Sequence, residues 1–201
     1  MHQFDGQLQR ALQLAGAARQ TARNLVSPAM SRRMFFLDFV VYPLAILACL
    51  AAAFSAGDVL ATIGFIALGL GGWTLAEYLI HRFVLHHLPG VAAIHMAHHH
   101  APRELIGTPT IFSFAAFYLL AFWPLMHVAG LRPAAAFMAG LLGGYLAYAA
   151  THYAVHHLGS GGSSVLRTLK RQHALHHHGD SDRNFGVTSG LWDWVFGTRR
   201  D

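Results

Sequence analysis

The sequence predicts an all-α integral membrane protein, with four transmembrane helices in two hairpins and a histidine-rich helical cap on one face. Three observations carry this. Four apolar segments, each near the roughly 20 residues that cross a hydrocarbon core as a helix, follow one another in pairs. Fourteen of the sixteen histidines fall in two blocks, one after each pair. Thirteen of the fourteen Arg and Lys residues lie in the same set of loops as those blocks. The composition agrees: 54% of the residues are hydrophobic and 11% charged, against about 25% charged in soluble globular proteins.

Residues 1–34 come first and read as an amphipathic segment. Phe4, Leu8, Ala11, Leu12 and Ala15 recur at helical spacing among Arg10, Arg19, Arg23, Arg32 and Arg33, the pattern of a helix lying on an anionic membrane surface. A solvated tail fits the many Ala and Gln residues equally well. The first apolar run starts too late and continues too long for a signal peptide, although Ala51, Ala52 and Ala53 imitate a cleavage site.

The membrane domain, 35–201, then places spans at about 35–56, 59–80, 109–129 and 133–153. Ala56, Gly57 and Asp58 join the first pair; Gly130, Leu131 and Arg132 join the second. Connections this short force antiparallel neighbours. Gly69, Gly71 and Gly72 in the second span, with Gly140, Gly143 and Gly144 in the fourth, allow close helix approach within lipid. The single cysteine, Cys49, sits inside an apolar run, which leaves no disulfide framework and no thiolate metal site. Only Arg132 departs from the charge bias, so the positive-inside rule puts both termini and both histidine blocks, 81–108 and 152–201, in the cytoplasm. Attraction to anionic lipid accounts for Arg167, Lys170, Arg171, Arg199 and Arg200, and no motif for nucleic acid accompanies them.

The histidine blocks carry the chemistry. His95, His98 and His99 are spaced i, i+3, i+4 and share a helix face, and His173, His176 and His177 repeat the spacing. His152 and His156 are one turn apart. His81 and His86 are five apart, about 140° around an ideal helix, so they serve one cluster only from opposite sides or if the helix changes geometry there. Imidazole suits Zn, Cu, Fe and Ni, and two ions with about five ligands each would use all ten residues. Glu77, Glu104, Asp180, Asp182 and Asp193 are the only carboxylates near the blocks, so the site is nearly all nitrogen and its acids are cast as partners that orient the rings. His127 reads as a packed or interfacial residue and His2 as solvated.

The pattern resembles the fatty acid hydroxylase superfamily of integral-membrane enzymes, which includes fatty acid 2-hydroxylases, sterol desaturases and carotenoid hydroxylases. The resemblance spans about residues 73–198. It rests on His81-Arg-Phe-Val-Leu-His86, His95-Met-Ala-His98-His99, His152-Tyr-Ala-Val-His156, His173-Ala-Leu-His176-His177 and the ending from Asn184 to Thr198, and it is greatest to the fatty acid 2-hydroxylase branch. It implies metal ligation by His81, His86, His95, His98, His99, His152, His156, His173, His176 and His177, holding two iron ions that zinc would replace readily in purified protein. Glu77, His100, Tyr148, His157, Asp180 and Asn184 are then the residues expected just outside those ligands, with His87 and His178 at the surface. Tyr148 matches a family position ahead of the third box, whereas Ala149 and Ala150 stand where some relatives have an acid.

The implied activity is hydroxylation of a C–H bond of a lipid, foremost a fatty acyl chain, with O2 as co-substrate. Two electrons would come from a separate donor, cytochrome b5-like or a ferredoxin with its reductase, because no cytochrome b5 domain is fused here. The substrate would enter from the bilayer, guided by the second and fourth spans. Trp192, Trp194 and Phe196 read as an interfacial aromatic belt or a cover for the site. A desaturase or carotenoid hydroxylase could use the same ligands. A metal carrier or channel is the rival from another class, but transporter sites lie near the bilayer midplane, and these histidines lie beyond the span ends. The Ala-, Gly- and Arg-rich chain with short loops points to a bacterial cytoplasmic membrane.

Overall fold

The computed structural model describes residues 29–159 and 163–200. The amphipathic segment expected at 1–34 lies outside the described residues up to position 28. Among the described residues the structure is helical, with a single β-bridge between Ala29 and Ile106.

Four helices are long and apolar enough to cross a membrane. The first runs Arg32–Ala53 and combines α1 (Arg32–Phe36) with α2 (Asp38–Ala53), its start capped by the Ser31 hydroxyl accepting from Met34 N. The second begins with α3 (Val59–Leu79), whose N-cap is Asp58, with Oδ1 accepting from Leu60 N at 2.8 Å. It does not stop at 80 as expected, but continues through a π-helical turn, Ile80–Leu85. After α4 (Val91–His100), the third comprises α5 (Thr110–Phe117), a π-helical turn (Tyr118–Phe122) and α6 (Trp123–Ala129). That second π turn lies directly before Pro124, whose missing N–H interrupts the ordinary ladder. The fourth, α7 (Leu131–His157), starts two residues before Pro133, a tolerated place for proline because first-turn N–H groups have no partner anyway. It also runs past 153, so His152 and His156 ride on its last turns. Then follow α8 (Ser164–His178) and the short α9 (Leu191–Val195).

The fourth span is the central helix. Gly130, at φ 85°, turns the chain into it. Both α2 and α3 make their main contacts with α7 rather than with each other, although a short connection joins them. Glycine explains the closeness of α3 to α7. A Cβ at Gly69 would lie 2.0 Å from Phe137 O, one at Gly140 2.0 Å from Ile66 O, and one at Gly144 2.5 Å from the Trp73 side chain. Gly71 and Gly143 face open space instead. Tyr42, Trp73, Met138, Leu141 and Leu142 fill the core beside these contacts. Leu44, Leu60, Leu68, Leu120 and Val128 remain exposed, an apolar exterior suited to lipid.

One polar network crosses this interior. Asp38 is buried in the first span and accepts from Thr110 Oγ1 and from Tyr145 OH, each at 2.5 Å. The Tyr42 hydroxyl donates to Ser113 Oγ at 2.7 Å. Polar groups from three spans thereby satisfy one another where no water would do so.

Candidate metal centre

The ten histidines named from the sequence meet at the ends of the second and fourth spans, in two groups of five. His81, His86, His95, His99 and His176 form the first; His98, His152, His156, His173 and His177 form the second. Within each group one nitrogen from each ring lies within 4.8 Å of the others. The two groups touch: the His99 and His177 rings stack with centroids 4.1 Å apart.

Local geometry explains who joins whom. The π-helical turn Ile80–Leu85 carries i→i+5 hydrogen bonding and a wider turn than an α-helix, so His81 and His86 face one centre, with ring centroids 5.2 Å apart. On α4, His95 and His99 enter the first group while His98 turns to the second; on α8, His173 and His177 enter the second while His176 turns to the first. Each helix therefore stands between the groups and supplies both. The i, i+4 pairs stay together, and the residue at i+3 crosses over.

The nitrogens converge in a way that suits a cation. Nε2 of His95 lies 3.1 Å from Nε2 of each of His81, His86 and His99. In the second group Nε2 of His98 lies 3.1 Å from that of His152 and 3.2 Å from that of His156. A neutral imidazole carries one N–H, so such a knot cannot be satisfied by hydrogen bonds alone. Two nitrogens about 2.0–2.1 Å from one ion, at right angles, lie about 3 Å apart, which is the spacing found. The donor set therefore fits a metal in both groups. Nε2 of His177 is buried without a protein partner among the described residues, an orphan that an ion in the second group would satisfy; Nδ1 of His98, His173 and His177, on the other edge of their rings, is also unpartnered.

Burial keeps these rings neutral. It holds His98 down to about 4, His99 to about 3 and His176 to about 4, from an ordinary 6.5. Neighbouring imidazoles add to the effect at His98 and His99. Burial first, and then neighbouring imidazoles, also push His95, His173 and His177 well below their ordinary value. Neutral imidazole is the form that ligates metal.

The comparisons with known proteins agree with the histidine pattern. The sequence model of the fatty acid hydroxylase family matches residues 66–198, a stretch that contains all ten clustered histidines. The chain belongs to the fatty acid hydroxylase family. It is 37% identical over 175 residues to a dihydroceramide fatty acyl 2-hydroxylase of Arabidopsis thaliana, covering 81% of this chain and 70% of the relative. A ceramide very long chain fatty acid hydroxylase of Saccharomyces cerevisiae is 39% identical over 145 residues, 65% of this chain and 36% of the yeast protein. The solved structure of full-length Scs7p, in which only the hydroxylase domain is visible, superposes with a TM-score of 0.72 at 26% identity, covering 83% of this chain and 67% of that one.

The residues expected just outside the ligands fare differently. The Tyr148 ring stacks on His152, with centroids 5.6 Å apart and planes 11° from parallel. His157 stacks on Tyr153 at 4.3 Å and His100 Nδ1 pairs with its own helix at Met96 O, so neither joins a group. Asp180 lies at the surface, 3.7 Å from Arg183 and 3.5 Å from Arg200. Asn184 adopts φ 53° and its Oδ1 accepts from Arg200 N at 2.8 Å. Glu77 is buried and holds backbone N–H groups of Val187 and Thr188. Among the described residues no carboxylate hydrogen-bonds an imidazole directly. Backbone carbonyls take that place: His81 Nδ1 lies 2.5 Å from Phe185 O, and His176 Nδ1 lies 2.8 Å from Arg183 O. Sequence reasoning missed these two carbonyls, because a backbone acceptor has no residue type to betray it. Of the terminal aromatics, Trp192 Nε1 donates to Thr74 Oγ1 at 3.0 Å, Phe196 stacks on Tyr78 at 5.2 Å, and Trp194 stays exposed.

Proposed function

We propose that this chain is a membrane-bound lipid hydroxylase that holds two iron ions, one in each histidine group. The reading rests above all on ten neutral imidazoles, each offering one ring nitrogen to one of two adjacent centres at the ends of membrane-length helices. The iron, when bound, supplies the redox chemistry: O2, two electrons and two protons convert C–H to C–OH and release one water. The relatives named above act, by their names, on fatty acyl groups of dihydroceramide and ceramide, and a fatty acyl chain is the substrate class proposed here.

The protein's own part is placement. Carbonyls of Arg183 and Phe185 set which nitrogen of His176 and His81 carries the proton, leaving Nε2 free to ligate. The Tyr148 ring walls His152. Apolar side chains of the second and fourth spans would lead the acyl chain from the bilayer to the centre. Two electrons would come from a donor protein, cytochrome b5-like or a ferredoxin with its reductase, reaching the histidine face. The charge bias supports two hairpins with that face, and both termini, in the cytoplasm. Short loops and an Ala-, Gly- and Arg-rich composition favour a bacterial cytoplasmic membrane.

Accurate-mass lipid profiles of a host expressing the intact chain, beside His98→Ala and His176→Ala, test the proposal. A species gaining one oxygen only with the intact chain is expected, and its fragments locate the oxygen on the acyl chain. Loss of two hydrogens would replace hydroxylation by desaturation. No change with iron loaded and a reductase supplied would overturn the enzyme reading in favour of metal handling.

A further inference from the structure

Four consecutive backbone N–H groups, at residues 185 to 188, are taken up by two buried carboxylates. Asp193 accepts from Phe185 N through Oδ1 at 2.9 Å and from Gly186 N through Oδ2 at 2.7 Å. Glu77 accepts through Oε1 from Val187 N at 2.6 Å and Thr188 N at 2.9 Å, and through Oε2 from the Thr188 hydroxyl at 2.5 Å. The two acids are 1% and 3% exposed, so these bonds are made away from water. Asp193 is held in turn. Thr198 Oγ1 donates to its Oδ1 at 2.7 Å and lies 3.0 Å from Tyr78 OH, at the end of α3. The fit is tight: a Cβ at Gly186 would lie 2.0 Å from Ser189 O and 2.9 Å from Asp193 Oδ2.

The same stretch turns two carbonyls toward one histidine group only. Phe185 O and Arg183 O meet His81 and His176, both of the first group. Among the described residues, no ring of the second group meets a backbone carbonyl, and three of its Nδ1 atoms have no partner. We infer that Asp193 and Glu77 are positioning residues for one of the two ions, a role that presupposes the two-ion centre proposed above. By holding residues 185–188 they aim the Arg183 and Phe185 carbonyls, which fix the tautomer and direction of His176 and His81. The second group is independent of them.

The test uses the full chain in detergent, loaded with zinc as a redox-inert probe, with ions counted per chain and release to a chelator timed. Asp193→Asn replaces one accepting oxygen by an NH2 that cannot take an amide N–H. The wild-type chain is expected to hold two ions. In Asp193→Asn one ion should leave about 10–100-fold faster, the usual consequence of losing an outer partner of a metal ligand, and the other at the wild-type rate. Combined with His176→Ala, Asp193→Asn should leave one ion releasing at the wild-type rate; combined with His98→Ala, it should leave none that does. A merely structural role would loosen both ions alike, and that outcome, or two unchanged rates, overturns the inference. A wild-type chain that does not hold two ions overturns the centre itself, and this role with it. If Asp193→Asn does not fold, Thr198→Val, which removes one hydroxyl from the Asp193 carboxylate, should speed release of the same single ion, and Thr198→Ser should restore it. Unchanged release in Thr198→Val overturns the inference as well.

Discussion

The two histidine groups are alike in number and unlike in construction. The first draws its rings from the second span, α4 and α8, and two of its rings rest on carbonyls of the 183–185 segment. The second draws from α4, α7 and α8, largely as i, i+4 pairs, and keeps three unpartnered Nδ1 atoms. The second group is therefore a product of helix register, whereas the first needs a π-helical turn and a distant loop as well. Equal ligand counts conceal unequal support.

The largest effects should come from the ligands. His176→Ala and His98→Ala remove one ring from each group, and each should lower hydroxylated product by more than the roughly 10–100-fold that loss of an outer partner causes. Metal counting would show one ion lost in each. If either variant keeps full activity with both ions, the two-group centre is wrong. Next comes the spacing between the groups, set where α3 meets α7. Gly140→Leu puts a side chain where a Cβ alone would lie 2.0 Å from Ile66 O. Overpacking of this kind costs about 1–3 kcal/mol, occasionally more, and should lower Tm and impair both groups together. Impairment of one group alone would show that the helices do not set their separation.

Acid should act in the same direction on both groups. In the folded metal-free chain His98, His99 and His176 stay neutral down to about 4, 3 and 4, while an unfolded chain takes up protons from 6.5. The unfolded state thus binds more protons in that window, and stability is lost as pH falls from 6.5 toward 4. Thermal melts of the metal-free chain across that range should show a falling Tm, and bound metal should shift the loss to lower pH. The smallest effect belongs to Asp180, whose side chain is 39% exposed beside Arg183 and Arg200 and touches neither group. Asp180→Ala should change stability by about 0–1 kcal/mol and leave release of both ions unaltered. A selective loss of one ion would bring Asp180 into the support of the first group.

Much of this was legible because it is local. The apolar runs, the charge bias and the i, i+4 histidine spacings all lie within a few turns of chain. Their outcome, four membrane-length helices with ten rings at their ends, follows from length and periodicity. The geometry change required between His81 and His86 was visible as a mismatch, and the π-helical turn supplies it. The packing order was not visible. Short links predict neighbours in sequence, yet α2 and α3 both settle on α7, and for α3 it is Gly69, Gly140 and Gly144 that permit an approach no short link dictates. The route by which the acids reach the rings was not visible either. Asp193 accepts from N–H groups seven and eight residues before it, and Glu77 from N–H groups more than a hundred residues on; no residue type marks a backbone partner in either case.

Helicity, apolar runs of membrane length and imidazoles at helical spacing can all be read along the chain. Those properties depend on residue type and local period, which are written along the chain. How ten rings divide into two groups, and which carbonyls steady two of them, emerges when the helices pack. That division depends on the angles between α4, α7 and α8 and on a loop folded back onto α3. Such contacts join residues more than a hundred positions apart, as Glu77 and Thr188 are, and no short-range pattern encodes them.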